Sequence, residues 1–214
     1  MTEMQAAIRG EAGSDVPCGG CTACCTSSQF VHISPDETET LAHIAPELLF
    51  PAPRRPSGHV VLGFDERGHC PMLIDDHCSI YDHRPRTCRT YDCRVFPAAG
   101  IDADTDDHDK ARIGRQARRW RFSYPSVADQ TEHDAVRAAA AFLDDHRGRL
   151  PAWPIPSDAT QLAVLAIEIH DLFLGVEEIS NPGSNPAVIV RPDPESVRVE
   201  LTRRIGGRGT TAGH

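Results

Sequence analysis

Eight cysteines gathered in the first half of the chain constrain this sequence more than any other feature. They are Cys18, Cys21, Cys24, Cys25, Cys70, Cys78, Cys88 and Cys93, and no cysteine follows in the rest of the 214 residues. The first residues lack the basic, apolar character of an export signal, so we expect a cytoplasmic location, where thiols stay reduced. Clustered thiolates in a reducing compartment are typical of metal sites, so we favour metal ligation over disulfides, redox thiols or inert thiols.

Length and charge narrow the classes of protein that remain. Apolar residues make up 40% of the chain, which is enough for a core, and the longest apolar runs are far too short for a membrane span. The formal net charge of −9 disfavours a general electrostatic grip on nucleic acid or anionic lipid. We therefore expect no nucleic acid and no membrane among the partners, and leave a protein partner or a small substrate open.

The predicted fold is α+β and mainly helical, with an irregular cysteine-rich half that contains short strands and a helical half after it. We expect a flexible N-terminus over 1–17, a metal-binding domain over 18–100, helices over 101–175 and an extended or disordered tail over 176–214. The tail includes a small hairpin that pairs residues 188–190 with 197–201. The pattern further predicts strands at 29–33, 59–64 and 70–74, with a turn at 65–68 between the last two, and helices at 34–49, 129–147 and 158–174.

The basic residues from Arg112 to Arg121 follow a run of aspartates between Asp102 and Asp109. Acids before a helix and bases toward its end complement the helix dipole, which favours a solvated helix with charged ends. The alternative is a docking surface for an anion or a partner.

The spacing of the first four cysteines predicts ligand geometry. Two thiolates at Cys18-x2-Cys21 reach one tetrahedral ion from a tight turn, and adding Cys24 gives a run that also resembles three ligands of an iron–sulfur cluster. Neighbouring side chains in extended backbone point to opposite faces. We therefore infer that Cys24 and Cys25 serve different ions, or that one of them is a free, reactive thiol.

The other four cysteines, Cys70, Cys78, Cys88 and Cys93, are spaced unlike a zinc ribbon. On a helix Cys88 and Cys93 lie on different faces, so they also divide between sites. Eight thiolates fill either two four-thiolate sites or one site and an open, reactive one. Imidazoles of His69, His77 and His83 are weaker candidates for ligands, since thiolates are already sufficient. Four arginines are either donors to sulfur or partners of Asp82 and Asp92 in surface ion pairs: Arg84, Arg86, Arg89 and Arg94.

These motifs resemble the YkgJ-type cysteine-cluster family, whose members are described as zinc- or iron-chelating domain proteins. The elements occur in order as Cys18-x2-Cys21-x2-Cys24-Cys25, then Cys70-Pro71, then Cys78-x-Ile80-Tyr81-x2-Arg84-Pro85-x2-Cys88-Arg89. The resemblance covers about residues 18–93 and implies metal chelation by Cys18, Cys21, Cys24, Cys25, Cys70, Cys78 and Cys88. We add Cys93 from this sequence.

The predicted function is metal binding through clustered thiolates, with the metal stabilising the fold. We favour Zn²⁺, and keep iron, as a mononuclear centre or an Fe–S cluster, as the alternative cofactor. The alternative function is an iron–sulfur oxidoreductase or a zinc-thiolate group-transfer enzyme. Phosphate-binding, dinucleotide-binding, serine-hydrolase and zinc-protease motifs are absent from the sequence, so whether the protein is an enzyme stays open.

Overall fold

A computed structural model describes residues 2–9, 16, 18–103, 108–147, 155–176 and 187–211. The chain forms two compact units. The cysteine unit contains Thr2–Arg94 and Asp102–Trp120, and the helical unit contains Val95–Ile101 and Arg121–His214. This division differs from the predicted boundary at residue 100, because the helix after the aspartate run packs against the 3₁₀ turn at Cys24–Thr26. Within the described residues no helix is both long enough and apolar enough to cross a bilayer.

The cysteine unit is built from short elements. Its helices are α1 Thr2–Arg9, α2 Thr38–Ala42, α3 Arg86–Thr90 and α5 Ala111–Ala117, and its strands are β1 Val31–Ile33, β2 Leu49–Pro51, β3 Val60–Leu62, β4 Leu73–Ile74 and β5 His77–Cys78. Single 3₁₀ turns lie at Cys24–Thr26, Pro46–Leu48, Tyr81–His83 and His108–Lys110. The predicted flexible N-terminus contains α1, in which Met4 is buried, while residues 10–15 and 17 lie outside the described residues.

A three-stranded antiparallel sheet, in the order β1-β3-β2, carries the apolar core of this unit. The register places Ile33 opposite Val60 and Leu49 opposite Leu62. The core consists of buried Val31, Ile33, Ile44, Leu62 and Ile80, and Cys70, Cys78 and Cys88 pack against it.

The strands predicted on either side of the turn at 65–68 are present as β3 and β4, and they belong to different sheets: β3 pairs with β1 and β2, and β4 pairs with β5. The reason is that the Cys70 N–H donates to the Cys25 carbonyl at 2.7 Å, which ties the chain after the turn to the first cysteine loop. The helix predicted over 34–49 is only α2, because Pro46 disfavours helical backbone before it and starts a 3₁₀ turn.

Among the described residues, the helical unit contains four α-helices, of which the sequence predicts the second and the third. They are α4 Val95–Ala99, α6 Val127–His146, α7 Ala159–Ile169 and α8 Pro194–Thr211, with the strand pair β6 Leu174–Val176 and β7 Ala187–Ile189. A capping box starts α6, since Ser126 Oγ accepts from the Asp129 N–H and the Asp129 carboxylate accepts from the Ser126 N–H. The helix predicted over 129–147 corresponds to α6, whose last residue is His146. Helices α4, α6 and α7 pack on one another and bury residues such as Phe96, Leu143 and Ile167.

The predicted hairpin of 188–190 with 197–201 is wrong, because β7 pairs with β6 and the later segment is α8. The Asp193 carboxylate accepts from the Ser196 N–H at 3.0 Å, and Pro194 occupies the first helical position, so Asp193-Pro194 starts a helix. Val197 and Leu201, four residues apart on one face, are fully buried. The predicted fold class, mainly helical α+β with strands in the cysteine-rich half, is confirmed.

Candidate metal centre

All eight cysteines line one cavity of about 490 Å³ in the cysteine unit. Each of the eight is half-buried and none forms a disulfide. The cavity wall also includes apolar side chains, among them Phe30, Leu62, Ile113 and Trp120. Sulfurs from segments up to 75 positions apart, 18 and 93, therefore open onto a common space.

The first cysteine loop is held by its own backbone and hydroxyl groups. The Cys21 N–H donates to the Cys18 carbonyl at 3.0 Å, and Gly19 takes the positive φ of +54° that this turn needs. Cys24 and Cys25 then lie in a 3₁₀ turn. The Ser27 hydroxyl donates to the Ala23 carbonyl at 2.6 Å and fixes the end of the loop.

The remaining four cysteines come from four further places in the chain. Cys70 follows the turn at 65–68, Cys78 ends β5, Cys88 lies in α3 and Cys93 in the turn after α3. The Cys88 N–H donates to the Pro85 carbonyl at 2.9 Å, and Pro85 sets the start of α3. The Arg-Pro pair thus positions Cys88 within the cavity wall.

Cys25 has the later cysteines as its main sulfur neighbours. Burial raises the pKa of the Cys25 thiol to about 12, the next contributions come from Cys70 and Cys78, and smaller ones come from Cys18 and Cys21. Cys88 lies near the same sulfurs. Its pKa is raised first by burial and then by Cys25, Cys70 and Cys78. We call Cys25, Cys70, Cys78 and Cys88 the Cys25 group.

Cys24 has a different set of neighbours although it is adjacent in the chain. Its pKa is raised by burial and then by Cys93, Cys18, Cys25 and Cys21, in that order. Burial also raises the pKa of Cys93 to about 11, with smaller contributions from Cys21 and Cys18. We call Cys18, Cys21, Cys24 and Cys93 the Cys24 group. The two groups meet at Cys24 and Cys25.

The donor set fits a soft or borderline cation. Buried thiols that raise the pKa of one another favour the neutral form, and a divalent cation reverses this balance by stabilising thiolates. Within the described part of the chain no three cysteine sulfurs all lie within 4.8 Å of one another. A tetrahedral ion with zinc–sulfur bonds of about 2.3 Å places its sulfurs about 3.8 Å apart, so binding requires each group to draw inward.

Positive charge lies beside both groups. Arg84 lowers the pKa of Cys18 and of Cys88, so its guanidinium is close to one member of each group. This guanidinium stacks over the Tyr81 ring at 4.1 Å, and its Nη1 donates to the Tyr81 carbonyl at 2.9 Å. The prediction that arginines face the sulfurs therefore fits Arg84.

The other arginines that the sequence offered as donors to sulfur either pair with carboxylates or have no contact with sulfur among the described residues. Arg94 pairs with Asp92, whose side chain is fully buried, at 2.7 Å and also lowers the pKa of Cys18. Arg86 forms a surface ion pair with exposed Asp36 at 2.7 Å, a partner other than the predicted Asp82 and Asp92. Of the three histidines, His77 lines the cavity, His69 has Arg112 Nη1 3.5 Å from its Nε2, and His83 stacks on His43.

Two groups near the sulfurs were missed by the sequence analysis. The Trp120 indole N–H donates to Cys93 Sγ at 3.3 Å, and this bond lowers the pKa of that thiol against the effect of burial. The Met72 backbone N–H has the same effect on Cys70. Neither has a motif: Trp120 is 27 positions from Cys93, and a backbone donor has no signature in side-chain identity.

A comparison with protein-family models identifies the cysteine-rich segment. Residues 17–113 match the family CxxCxxCC, described as "Putative zinc- or iron-chelating domain". This segment is therefore similar to the CxxCxxCC family. The match confirms the predicted cysteine-cluster family and supports metal binding in general terms. The CxxCxxCC domain contains all eight cysteines, whereas no curated protein and no solved structure matches the chain.

Proposed function

We propose that this protein binds two metal ions, one in the Cys24 group and one in the Cys25 group. The observation that carries the proposal is that all eight cysteines line one cavity, while the largest sulfur contributions to the pKa of Cys25 and Cys88 come from one group of four and those to the pKa of Cys24 and Cys93 come from the other. Bound metal stabilises the CxxCxxCC domain, whose apolar core is small. The proposal includes a reducing, cytoplasmic setting, because the ligands have to be thiolates.

Zinc is the first choice of metal, and iron is the alternative. Zinc accepts four thiolates from unevenly spaced ligands and needs no redox partner. Each zinc–tetrathiolate centre has a charge of about −2, which the Arg84 guanidinium and N–H donors such as that of Trp120 offset. Iron is kept because Cys18, Cys21 and Cys24 have the spacing of cluster ligands. Anaerobically purified protein that is colourless supports zinc, and a brown protein that contains iron and sulfide supports a cluster.

Paired cysteine substitutions test the two-group arrangement. Metal content per chain is measured by elemental analysis for Cys24→Ser/Cys93→Ser, which changes one group, and for Cys24→Ser/Cys25→Ser, which changes both. We expect about two ions in the unmodified protein, about one in the first variant and about none in the second. Equal metal loss in the two variants contradicts the division into groups.

Single substitutions complete the design. Cys24→Ser and Cys25→Ser each remove about one ion, because four-thiolate sites tolerate loss of a ligand poorly. If either single variant keeps the full metal content, that cysteine is a free thiol and the Cys24 or Cys25 group is incomplete. Circular dichroism of each variant shows whether the helices persist.

A group-transfer enzyme is the second candidate, and the size of the cavity favours it. The space of about 490 Å³ exceeds what two ions fill, and its apolar wall at Phe30, Leu62 and Ile113 suits a small organic ligand. A zinc-bound thiolate would attack the alkyl carbon, form a carbon–sulfur bond and release the leaving group with its electron pair. Alkylation of a single cysteine by iodoacetamide in metal-loaded protein supports this function, and uniform protection of all eight contradicts it.

A further inference from the structure

A second kind of ligand cluster lies on the surface of the cysteine unit, at Glu39, His43 and His83. One ligand atom of each residue lies within 4.8 Å of the other two. Glu39 and His43 are four positions apart, in α2 and just after its last residue, so they share a helix face. His83, at the end of the 3₁₀ turn Tyr81–His83, is brought beside them by the fold.

A backbone hydrogen bond sets the tautomer of the His43 ring. Its Nδ1 lies 2.7 Å from the Glu39 carbonyl oxygen, and because a carbonyl only accepts, Nδ1 carries the proton. The lone pair is therefore on Nε2. Metal-ligating histidines have the same arrangement, in which the second ring nitrogen donates to a carbonyl or a carboxylate and fixes the tautomer.

The two imidazole rings are parallel, with centroids 3.8 Å apart and planes at 11°. Their lone pairs lie in parallel planes, so one ring has to turn about its Cβ–Cγ bond before both meet one ion. That torsion is broad for histidine, and His43 is exposed while His83 is half-buried, so the turn has little steric cost.

We propose that Glu39, His43 and His83 form a separate site for a borderline divalent cation such as Zn²⁺, Co²⁺ or Ni²⁺. Two imidazoles and a carboxylate are ligands that these ions accept, and water completes the coordination. The site contains no sulfur and is exposed, so its ion exchanges with solvent more readily than one held by buried thiolates. It lies beside the cavity wall, because Tyr81 and Arg84 of the same segment line that cavity.

Cobalt separates this site from the thiolates in one experiment on the full chain. Thiolate-bound Co²⁺ gives intense sulfur-to-metal charge-transfer absorption, whereas Co²⁺ bound by imidazole and carboxylate gives none. Total bound Co²⁺ is measured by equilibrium dialysis under anaerobic conditions and compared with the charge-transfer intensity of the same sample. The variants are Glu39→Gln and His43→Gln/His83→Gln. The control is His146→Gln, whose ring makes the same bond to the carbonyl four residues earlier, at 2.7 Å.

We expect both cluster variants to bind about one Co²⁺ less than the unmodified protein, with unchanged charge-transfer intensity and circular dichroism. His146→Gln should change neither quantity. Full Co²⁺ content in the double variant overturns the proposal. If charge-transfer absorption is absent from the unmodified protein, the thiolate function fails, but the difference in bound Co²⁺ still decides this site.

Discussion

The cysteine unit and the helical unit fold by different means. The strands of the cysteine unit have two or three residues each, and its core cluster contains five buried apolar side chains. The helical unit has a 20-residue helix, α6, that packs against α4 and α7 and buries Val136, Leu143 and Ile167 completely. A long amphipathic helix gains its stability from the apolar face that it buries, whereas strands this short gain little from pairing alone.

The comparison separates the unit that contains the proposed metal ligands from the unit that does not. Three members of the Cys25 group, Cys70, Cys78 and Cys88, pack against the core of the cysteine unit, so ligands and core share one set of contacts. No cysteine occurs in the helical unit. Under the proposed function, metal therefore stabilises the first unit directly, and apolar burial stabilises the second.

Metal removal is the prediction with the largest expected effect. A chelator under reducing conditions should expose the amides of the cysteine unit while those of α6 and α7 stay protected, because only the first unit has thiolate ligands. Zinc bound to small thiolate domains contributes about 10–16 kcal/mol to folding. Hydrogen exchange read by mass spectrometry, with and without chelator, measures both units in one sample. Unchanged exchange in the cysteine unit after complete metal removal would contradict a structural role for metal.

Phe173→Ala tests the opposite side of the comparison. Phe173 is 2% exposed, and its ring meets that of Phe142 edge to face with centroids 5.5 Å apart. The truncation should lower the free energy of unfolding of the helical unit by about 3–5 kcal/mol, through lost contacts and the cavity left behind. Urea denaturation followed by circular dichroism measures the change.

The control is Val127→Ala, at a side chain in the same unit that is 77% exposed, where we expect a change within about 0.5 kcal/mol. Metal content should be the same in both variants. Loss of metal in Phe173→Ala would show that the two units depend on each other and would break the comparison.

The contrast between the two units also explains which elements could be predicted from the sequence. Helices α6 and α7 follow from local signals, since Ser126 and Asp158 cap them and their apolar residues recur at helical spacing. That Cys24 and Cys25 serve different ions stays a prediction, and its premise of extended backbone is wrong, because both residues lie in the 3₁₀ turn Cys24–Thr26. Local signals carry no information on distant contacts: the pairing of β3 with β1 and the bond from Trp120 to Cys93, 27 positions away, have no signature in the sequence.

Trp120→Phe sharpens the comparison inside the cysteine unit. The Trp120 N–H donates to Cys93 and lowers the pKa of its thiol, so its removal raises that pKa and leaves the thiolate less stabilised. We expect the metal affinity of the Cys24 group to fall roughly 10–100-fold, as for other lost donors to metal ligands. The Cys25 group should keep its affinity and serves as the internal control. Competition with a chromophoric chelator measures both, and an equal loss in both groups would show a general loss of folding.

Ser126→Ala has the smallest expected effect and tests whether the helical unit depends on local signals. The Ser126 hydroxyl accepts from the Asp129 N–H at 3.2 Å, and its bond with Asp129 is the largest contribution that lowers the pKa of that carboxyl. The truncation should lower the free energy of unfolding by about 1 kcal/mol at pH 7.

The effect of Ser126→Ala should also depend on pH. Because folding lowers the pKa of Asp129, the contribution of its carboxylate to stability is present above the usual aspartate pKa and is lost as the pH falls through the lowered value. The difference between Ser126→Ala and the unmodified protein should therefore shrink in acid, and Ser126→Thr, which keeps a hydroxyl, should restore most of the stability. A cap that contributed nothing at neutral pH would mean that packing of α6 against α4 and α7 alone sets where the helix begins.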